Sequence, residues 1–208
     1  MKTQIPNPDN HQELRDALRQ MCAQFDSSYW QKVDEERAYP EAFVETLTKA
    51  GWLAALIPTE FGGSGLGLAE ASVIMEEINF AGGNAGSCHG QMYNMGTLLR
   101  HGSQAQKELY LPQIAAGTCR LQSMAVTEPT TGTDTTQRKT TAVKKGDRYV
   151  VNGQKVWISR IQHSDLMILL ARTTPLAQVK RKREGMSVFI VDIKQAMVGG
   201  MTVKPIRN

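Results

Sequence analysis

Two short segments carry the residue types that can bind a flat aromatic ligand. The first, residues 124–134, places main-chain N–H groups and threonine hydroxyls beside a turn, and the second, residues 155–159, carries an indole followed by a serine. Trp157 can pack against a ring, while the hydroxyls of Thr127 and Ser159 can hydrogen-bond its heteroatoms. Apolar walls with a few placed polar groups are typical of a cofactor site.

Other catalytic patterns are weak in this sequence. It contains no G-x-S-x-G, H-E-x-x-H or P-loop motif, and no G-x-G-x-x-G between a strand and a helix. The histidines are isolated from one another and are interpreted as structural or surface residues: His11, His89, His101 and His163. Glu128 lies between Thr127 and Pro129 and is interpreted as a cap in a turn, with a role as catalytic base as the alternative.

Composition and charge exclude several classes of protein. With 41% hydrophobic and 21% charged residues, the 208-residue chain is predicted to be globular rather than disordered or fibrous. Its net charge of +4 is modest. The one basic run, residues 180–183, is interpreted as a solvated loop, with contact to nucleic acid or to a ligand phosphate as the alternative. No nucleic-acid-binding motif accompanies the run, so no nucleic-acid partner is predicted.

The cysteines and the N-terminus predict a reducing, cytoplasmic location. Cys22, Cys88 and Cys119 are odd in number and far apart, which favours neither disulfides nor a zinc site, so no metal is predicted. Residues 1–10 lack the apolar core of a signal peptide, and no later stretch is apolar enough to span a bilayer. No membrane partner is predicted.

Apolar residues at helical spacing fill the first half of the chain. Five helices are predicted, over residues 10–27, 40–51, 71–81, 84–100 and 103–117. Capping boxes are predicted at Asn10 and at Ser103, and Pro112 is expected to kink or restart the last helix. Ala50 and Leu99 are predicted to face the core. Residues 56–67 are rich in glycine and are predicted to form an ordered loop or a lid.

Strand-like runs begin near residue 118. They cover residues 121–126, 140–144, 148–151, 155–158, 166–172, 187–192 and 201–205. Residues 144–147 predict a turn, and Asn152-Gly153 predicts a two-residue hairpin. Helices followed by strands indicate an α+β fold. We expect an all-α domain over residues 1–117 and a mainly antiparallel, barrel- or sandwich-like β-domain over residues 118–208.

Four ordered motifs resemble the acyl-CoA dehydrogenase family. Two segments resemble the flavin-binding signature of the family: V-T-E-P-T-T-G-T-D at residues 126–134 and N-G-Q-K-V-W-I-S at residues 152–159. Supporting motifs are I-P-T-E-F-G-G-S-G-L-G at residues 57–67 and G-S-Q-A-Q-K-E-L-Y-L-P at residues 102–112. The resemblance covers nearly the whole chain. It implies a further C-terminal helical bundle that these residues do not include, so the chain is expected to be a truncated form.

The resemblance implies an FAD site built from both segments. The residues that it assigns to the cofactor are Met124, Ala125, Val126, Thr127, Gly132, Thr133, Trp157, Ile158 and Ser159. Thr133 stands where the family has a serine that also contacts the substrate, so it is the predicted substrate-binding residue. The hydroxyl of Ser159 can donate to the N5 edge of the flavin, and N–H groups near Thr127 can stabilise charge at the pyrimidine end.

The implied reaction is the α,β-dehydrogenation of an acyl-CoA, in which a carboxylate removes the α-proton as the β-hydrogen moves as hydride to flavin N5. The family's base lies on the C-terminal bundle, beyond Asn208, so the isolated chain is expected to be inactive. If it is active, Glu128 and Glu60 are the first candidates. The implied partners are an acyl-CoA, an electron-transferring flavoprotein or similar acceptor, and further copies in a homo-oligomer, within fatty acid metabolism.

Two other interpretations stay open. The chain can belong to a flavin oxidase or monooxygenase of the same fold. Alternatively, it can be a catalytically silent binding fragment that uses its helical domain as a surface for a partner or an acyl group. An uncovered sheet edge and flavin face would both favour association.

Overall fold

Residues 11–206, which the computed structural model describes, change from helix to strand after residue 119. Contacts divide the chain into two compact units, Met1–Cys119 and Arg120–Asn208. Helices followed by a sheet are the predicted α+β class, which is confirmed. Within the described range, no helix combines the length and the apolar character needed to cross a bilayer.

The helices of the first unit are α1 (Gln12–Cys22), α2 (Ser27–Glu35), α3 (Glu41–Lys49), α4 (Leu68–Phe80), α5 (Gly86–His101) and α6 (Gln104–Ala115). The first predicted helix, residues 10–27, ends earlier than expected, at Cys22, and α2 was not predicted. The Asp26 carboxylate accepts a hydrogen bond from the N–H of Tyr29 at 3.1 Å and so begins α2. Asn10, the predicted cap of α1, lies outside the described residues, and His11 precedes α1 without a side-chain cap.

The capping box predicted at Ser103 is confirmed, whereas a restart of the helix at Pro112 is not observed. Ser103 and Gln106 form a capping box at the start of α6, with bonds of 3.2 and 2.9 Å. The helix then continues through Pro112 without a break. Residues 56–67 form an ordered loop that contains one short 3₁₀ turn, Thr59–Phe61. A Cβ at Gly63 would overlap the carbonyl of Ile57, so this loop needs glycine where it folds back on itself.

Aromatic residues organise the core of the helical unit. The rings of Phe25 and Trp30 pack edge-on against Phe43, with centroids 5.2 and 4.9 Å away. Phe43 itself is fully buried in α3. Two predicted core positions are wrong. Ala50 is exposed just after the end of α3, and Leu98 rather than Leu99 is the buried residue near the end of α5.

One carboxylate lies within this core, although apolar spacing did not predict it. Glu77 on α4 is 2% exposed and accepts hydrogen bonds from Arg15 at 2.5 Å and from Nε of Arg19 at 2.8 Å. The hydrogen bond from Arg19 lowers the pKa of Glu77, and the bond from Arg15 adds to this against the opposing effect of burial. Glu77 therefore joins α4 to α1.

We expect Glu77→Gln to destabilise the helical unit by roughly 1.5–3 kcal/mol, because charge-assisted hydrogen bonds become neutral ones. Amide hydrogen exchange in α1 and α4 measures the change in local unfolding free energy. Glu76→Gln is the matched control, because the Glu76 side chain bonds to the same Arg15 but is 60% exposed. We expect the control to change stability by less than about 0.5 kcal/mol. Equal losses in both variants would contradict a special role for the buried carboxylate.

The sheet unit contains β1 (Leu121–Ala125), β2 (Thr141–Lys145), β3 (Arg148–Asn152), β4 (Leu166–Arg172) and β5 (Met186–Asp192), followed by α7 (Ile193–Val198). Strand β4 is central. It pairs antiparallel with β5 along its whole length, parallel with β1, and parallel with β2 at Arg172 alone. Among the described strands the sheet is therefore mixed and not closed. Its core residues are Ala125, Ala142, Met167, Leu169, Ala171 and Ile193.

The connections of the sheet differ in part from the expected ones. The predicted strands at residues 155–158 and 201–205 are wrong, since both stretches are irregular. The turn at residues 144–147 is confirmed, with Gly146 in the left-handed region between β2 and β3. Asn152-Gly153 makes no hairpin. A Cβ at Gly153 would lie 2.7 Å from the Cα of Thr140, so the glycine permits a close main-chain approach instead.

Candidate functional site

The two segments singled out in the sequence lie against each other in the sheet unit. The N–H of Val156 donates to the carbonyl of Thr127 at 3.0 Å. The hydroxyl of Ser123 donates to the carbonyl of Ser159 at 3.0 Å. These bonds hold the irregular stretch, residues 155–159, beside the end of β1. Residues far apart in the sequence are thereby brought into one candidate site.

The buried side chain of Glu128 stabilises the contact between the two segments. Its buried carboxylate accepts hydrogen bonds from Nζ of Lys155 at 2.8 Å and from the N–H groups of Lys139 at 2.6 Å and Thr140 at 3.1 Å. Lys155 Nζ also donates to the carbonyl of Val126 at 3.2 Å. Glu128 is therefore a cap that joins three parts of the chain, as its position in a turn predicts.

The protonation state of Glu128 follows from these bonds. Burial by itself raises the pKa of a carboxyl group, but the donors, Lys155 foremost, outweigh it and lower the pKa of Glu128 to about 2. Burial lowers the pKa of Lys155, and its bond to Glu128 offsets part of that effect. The two groups therefore form a buried ion pair at neutral pH. A carboxylate held in its charged form in this way is a poor general base.

The turn that follows Glu128 is closed by its own main chain. Glu128 and Thr131 exchange two N–H···O bonds of 3.1 Å, and the Thr131 hydroxyl donates to the carbonyl of Asp134 at 2.6 Å. Gly132 and Thr133 are exposed, and a Cβ at Gly132 would meet no atom within 4 Å. We call residues 131–136 the hydroxyl loop. It offers open space beside the exposed side chain of Thr133.

Trp157 is distinguished by its exposure and by its backbone. It is 68% exposed, and its φ of 62° lies in the left-handed region, which is unfavourable for a bulky residue. The chain is held on both sides of it, because Val156 is bonded to Thr127 and Ile158 packs against the sheet core. Strained residues of this kind cluster at functional sites, which makes Trp157 a candidate for ligand contact.

The remaining predicted site residues occupy different environments. Ala125 is buried in the sheet core and pairs with Leu169 of β4, and Ile158 packs against the same core. Half-buried positions are those of Met124, Val126 and Thr127. Exposed positions are those of Gly132, Thr133, Trp157 and Ser159. The side chains accessible to a ligand therefore come from the hydroxyl loop and from the irregular stretch.

Three cations that support this site were not predicted. Lys155 bonds to the first segment, and Arg138 and Arg172 bond to carbonyls of the hydroxyl loop. A single buried cation leaves no periodic pattern in a sequence. Of the three cations, only Arg172 could have been noticed in the sequence, because it is the last residue of an otherwise apolar strand. A charged residue at such a position is rarely fully buried unless it is paired.

The chain matches known proteins along nearly its whole length. Residues 8–118 match the acyl-CoA dehydrogenase N-terminal domain, and residues 123–208 match the middle domain. The mitochondrial isovaleryl-CoA dehydrogenase of Pongo abelii is 36% identical over 195 residues, which are 90% of this chain and 45% of that protein. The crystal structure of acyl-CoA dehydrogenase from Geobacillus kaustophilus gives a TM-score of 0.81 at 28% identity, over 90% of this chain and 49% of that one.

A third match is a structure described as the electron transferring flavoprotein of Acidaminococcus fermentans. It gives a TM-score of 0.78 at 26% identity, over 92% of this chain and 49% of that one. The two-unit fold and these matches are those of an oxidoreductase. More narrowly, the chain belongs to the acyl-CoA dehydrogenase family. It spans about half the length of the curated relatives that it matches.

The family implies an FAD cofactor, and the groups in the sheet unit fit such a ligand. Trp157 presents an exposed aromatic surface, Thr133 and Ser159 are exposed residues that carry hydroxyls, and open space lies at Gly132. Aromatic contact with a few hydrogen-bonding groups is what a flavin ring requires of its protein.

Proposed function

We propose that this chain supplies FAD and acyl-CoA contacts to an enzyme that catalyses the α,β-dehydrogenation of an acyl-CoA thioester. The observation that carries the proposal is the strained, exposed Trp157, held beside residues 124–134 by the bond between Val156 and Thr127. When bound, FAD supplies a two-electron acceptor for hydride.

Each of the four side chains has a separate task in this proposal. The indole of Trp157 packs against the ring, and the hydroxyls of Thr127 and Ser159 hydrogen-bond its polar edges. Thr133 on the hydroxyl loop binds the thioester. The main-chain carbonyls of Thr127 and Ser159 already bond within the chain, so their side chains remain the groups that recognise the ligand.

Neither candidate carboxylate is placed as a base by these contacts. Glu128 is held by three hydrogen-bond donors with its pKa lowered to about 2, and Glu60 lies exposed in the Thr59–Phe61 turn of the helical unit. Removing an α-proton needs a base within hydrogen-bond reach of it. We therefore expect negligible dehydrogenase turnover from the 208 residues alone.

Two measurements test this function. After incubation with FAD and gel filtration, the purified chain is expected to elute with a flavin absorption band, and a panel of acyl-CoA thioesters is expected to give no dye reduction. A folded chain that elutes without flavin would overturn the cofactor assignment. Dye reduction well above the flavin-only blank would instead show that a base is present, and Glu128→Gln and Glu60→Gln would then locate it.

The proposal extends to partners and location. An electron-transferring flavoprotein or similar acceptor is proposed to reoxidise the cofactor, as the resemblance to the family implies. The full protein is proposed to be a homo-oligomer in fatty acid metabolism. The three cysteines of this chain, Cys22, Cys88 and Cys119, are free thiols, which accords with the proposed cytoplasmic location.

A further inference from the structure

Two arginines that contact the hydroxyl loop are buried. Arg138 is 4% exposed and Arg172 is 6% exposed. Within residues 11–206 neither guanidinium takes part in an ion pair with a carboxylate, and Nε of each is buried without a hydrogen-bond partner. A buried guanidinium without a carboxylate is costly, and apolar residues of similar volume often replace buried charges without loss of stability. Hydrophobic packing therefore does not account for these two residues.

Both guanidiniums donate to main-chain carbonyls of the same loop. Arg138 contacts two consecutive carbonyls, that of Thr131 from Nη1 at 3.2 Å and that of Gly132 from Nη2 at 3.1 Å. The planar fork of arginine suits such a pair of acceptors, and the single ammonium of lysine does not reproduce it. Arg138 thus fixes the carbonyls of the two peptide groups that flank the Cα of Gly132.

Arg172 reaches the other end of the loop and a second segment. Its Nη2 donates to the carbonyl of Thr136 at 2.9 Å and to that of Lys182 at 3.3 Å, and its Nη1 donates to the carbonyl of Glu184 at 3.0 Å. The N–H of Arg172 is itself bonded to the carbonyl of Thr140 at 2.8 Å. Through Arg172, strand β4 therefore holds both the end of the hydroxyl loop and the segment at residues 182–184, where the basic run ends.

Local bonds alone would leave the loop poorly held. Residues 132–135 are exposed, and the other hydrogen bonds of this stretch are short-range. They join Thr131 to Glu128 and to Asp134, Thr135 to Thr133, and Thr136 to the Asp134 carboxylate. Arg138, a few residues further along the chain, supports the start of the loop, and Arg172 supports its end from the distant strand β4. An exposed loop that is fixed before a ligand binds loses less conformational entropy on binding.

We infer that Arg138 and Arg172 are positioning residues that hold the hydroxyl loop, and with it Gly132 and Thr133, in a binding-ready conformation. The role of the loop in binding rests on the proposed function. The fixing of the loop by the two guanidiniums does not, so the two ideas can fail separately.

Hydrogen exchange in the ligand-free chain tests the fixing of the loop. The N–H groups of Thr131, Thr135 and Thr136 are hydrogen-bonded and therefore report its opening. We expect Arg138→Lys and Arg172→Lys each to speed exchange at these amides at least tenfold. Amides of β5, which pair with β4, should stay within about threefold of wild type. Arg148→Lys is the matched control, because its side chain is 86% exposed, and it should leave the loop unchanged.

The outcomes distinguish a role in positioning the loop from a role in overall stability. Loop exchange at the wild-type rate in both variants would overturn the inference, and so would equal acceleration in the loop and in β5, which marks a loss of overall stability. If Arg172→Lys does not fold, Arg138→Lys decides, because Arg138 lies outside the strands. FAD titration of the same proteins should show about tenfold weaker binding in the variants. If wild type binds no FAD, the proposed function fails while the exchange result stands.

Discussion

Glu128→Gln is expected to destabilise the sheet unit by about 3–5 kcal/mol, because it breaks a buried ion pair and leaves Lys155 without its counter-charge. The neutral amide also turns its NH₂ group toward the N–H groups of Lys139 or Thr140, or gives up one of these bonds. Hydrogen exchange of β1 and β4 amides measures the loss within this unit alone. Asp147→Asn, at a side chain that is 91% exposed, should change stability by less than about 0.5 kcal/mol.

The same pair predicts how stability depends on pH. The folded-state pKa of Glu128, about 2, lies below that of an unfolded glutamate. The charged carboxylate therefore contributes its full stabilisation above the unfolded pKa, near 4.3, and that contribution is lost as the pH falls toward 2. We expect wild type to lose about 2 kcal/mol between pH 4.3 and pH 2 from Glu128 alone, and the rest of this contribution below pH 2. Glu128→Gln should lack this component, so its acid profile should be flatter.

A double variant provides the internal check. Lys155→Met removes the ammonium, and Glu128→Gln combined with Lys155→Met removes both charges. The double variant should lose less than the sum of the single losses, because neither partner is left charged and buried alone. Strict additivity, or an acid profile of Glu128→Gln as steep as that of wild type, would contradict the ion pair as the anchor of the site.

Local signals in the sequence predicted much of the fold. Ser103 with Gln106, the turn at Gly146 and the apolar run of β4 each depend on chemistry within a few residues, and each appears where expected. The irregular stretch was misassigned for a physical reason. Val156 and Ile158 flank Trp157 in the alternation of a strand, but the left-handed backbone of Trp157 is fixed by partners elsewhere in the chain.

Buried charges were the main part of the site that the sequence did not predict. Arg172 in the site and Glu77 in the helical unit are buried by pairing with groups distant in the sequence, and a single sequence contains no pattern that specifies such partners. The parallel pairing of β1 with β4 is of the same kind, since the two strands are separated by a whole hairpin. Sequence motifs identified the exposed residues of the proposed FAD site, but not the buried residues that support them.

Trp157→Gly is expected to change binding and stability in opposite directions. Removing the indole takes away an aromatic contact worth about 1–3 kcal/mol in comparable stacking on a heteroaromatic base, so FAD should bind roughly tenfold to a hundredfold more weakly. The indole is 68% exposed and contributes little burial, whereas glycine adopts the observed φ of 62° without strain. The free chain should therefore gain up to about 1 kcal/mol of stability.

Trp157→Phe is the matched control for this result. It keeps an aromatic ring and the left-handed strain, so it should retain most of the FAD affinity and gain no stability. Titration of the flavin absorption band gives the affinities, and hydrogen exchange of β1 and β4 gives the stabilities. A loss of both FAD affinity and stability in Trp157→Gly would mean that the indole stabilises the fold rather than the bound ligand. Unchanged affinity in Trp157→Gly would remove Trp157 from the cofactor site. Weaker FAD binding together with higher stability is expected only if the strained backbone of Trp157 serves ligand binding rather than folding.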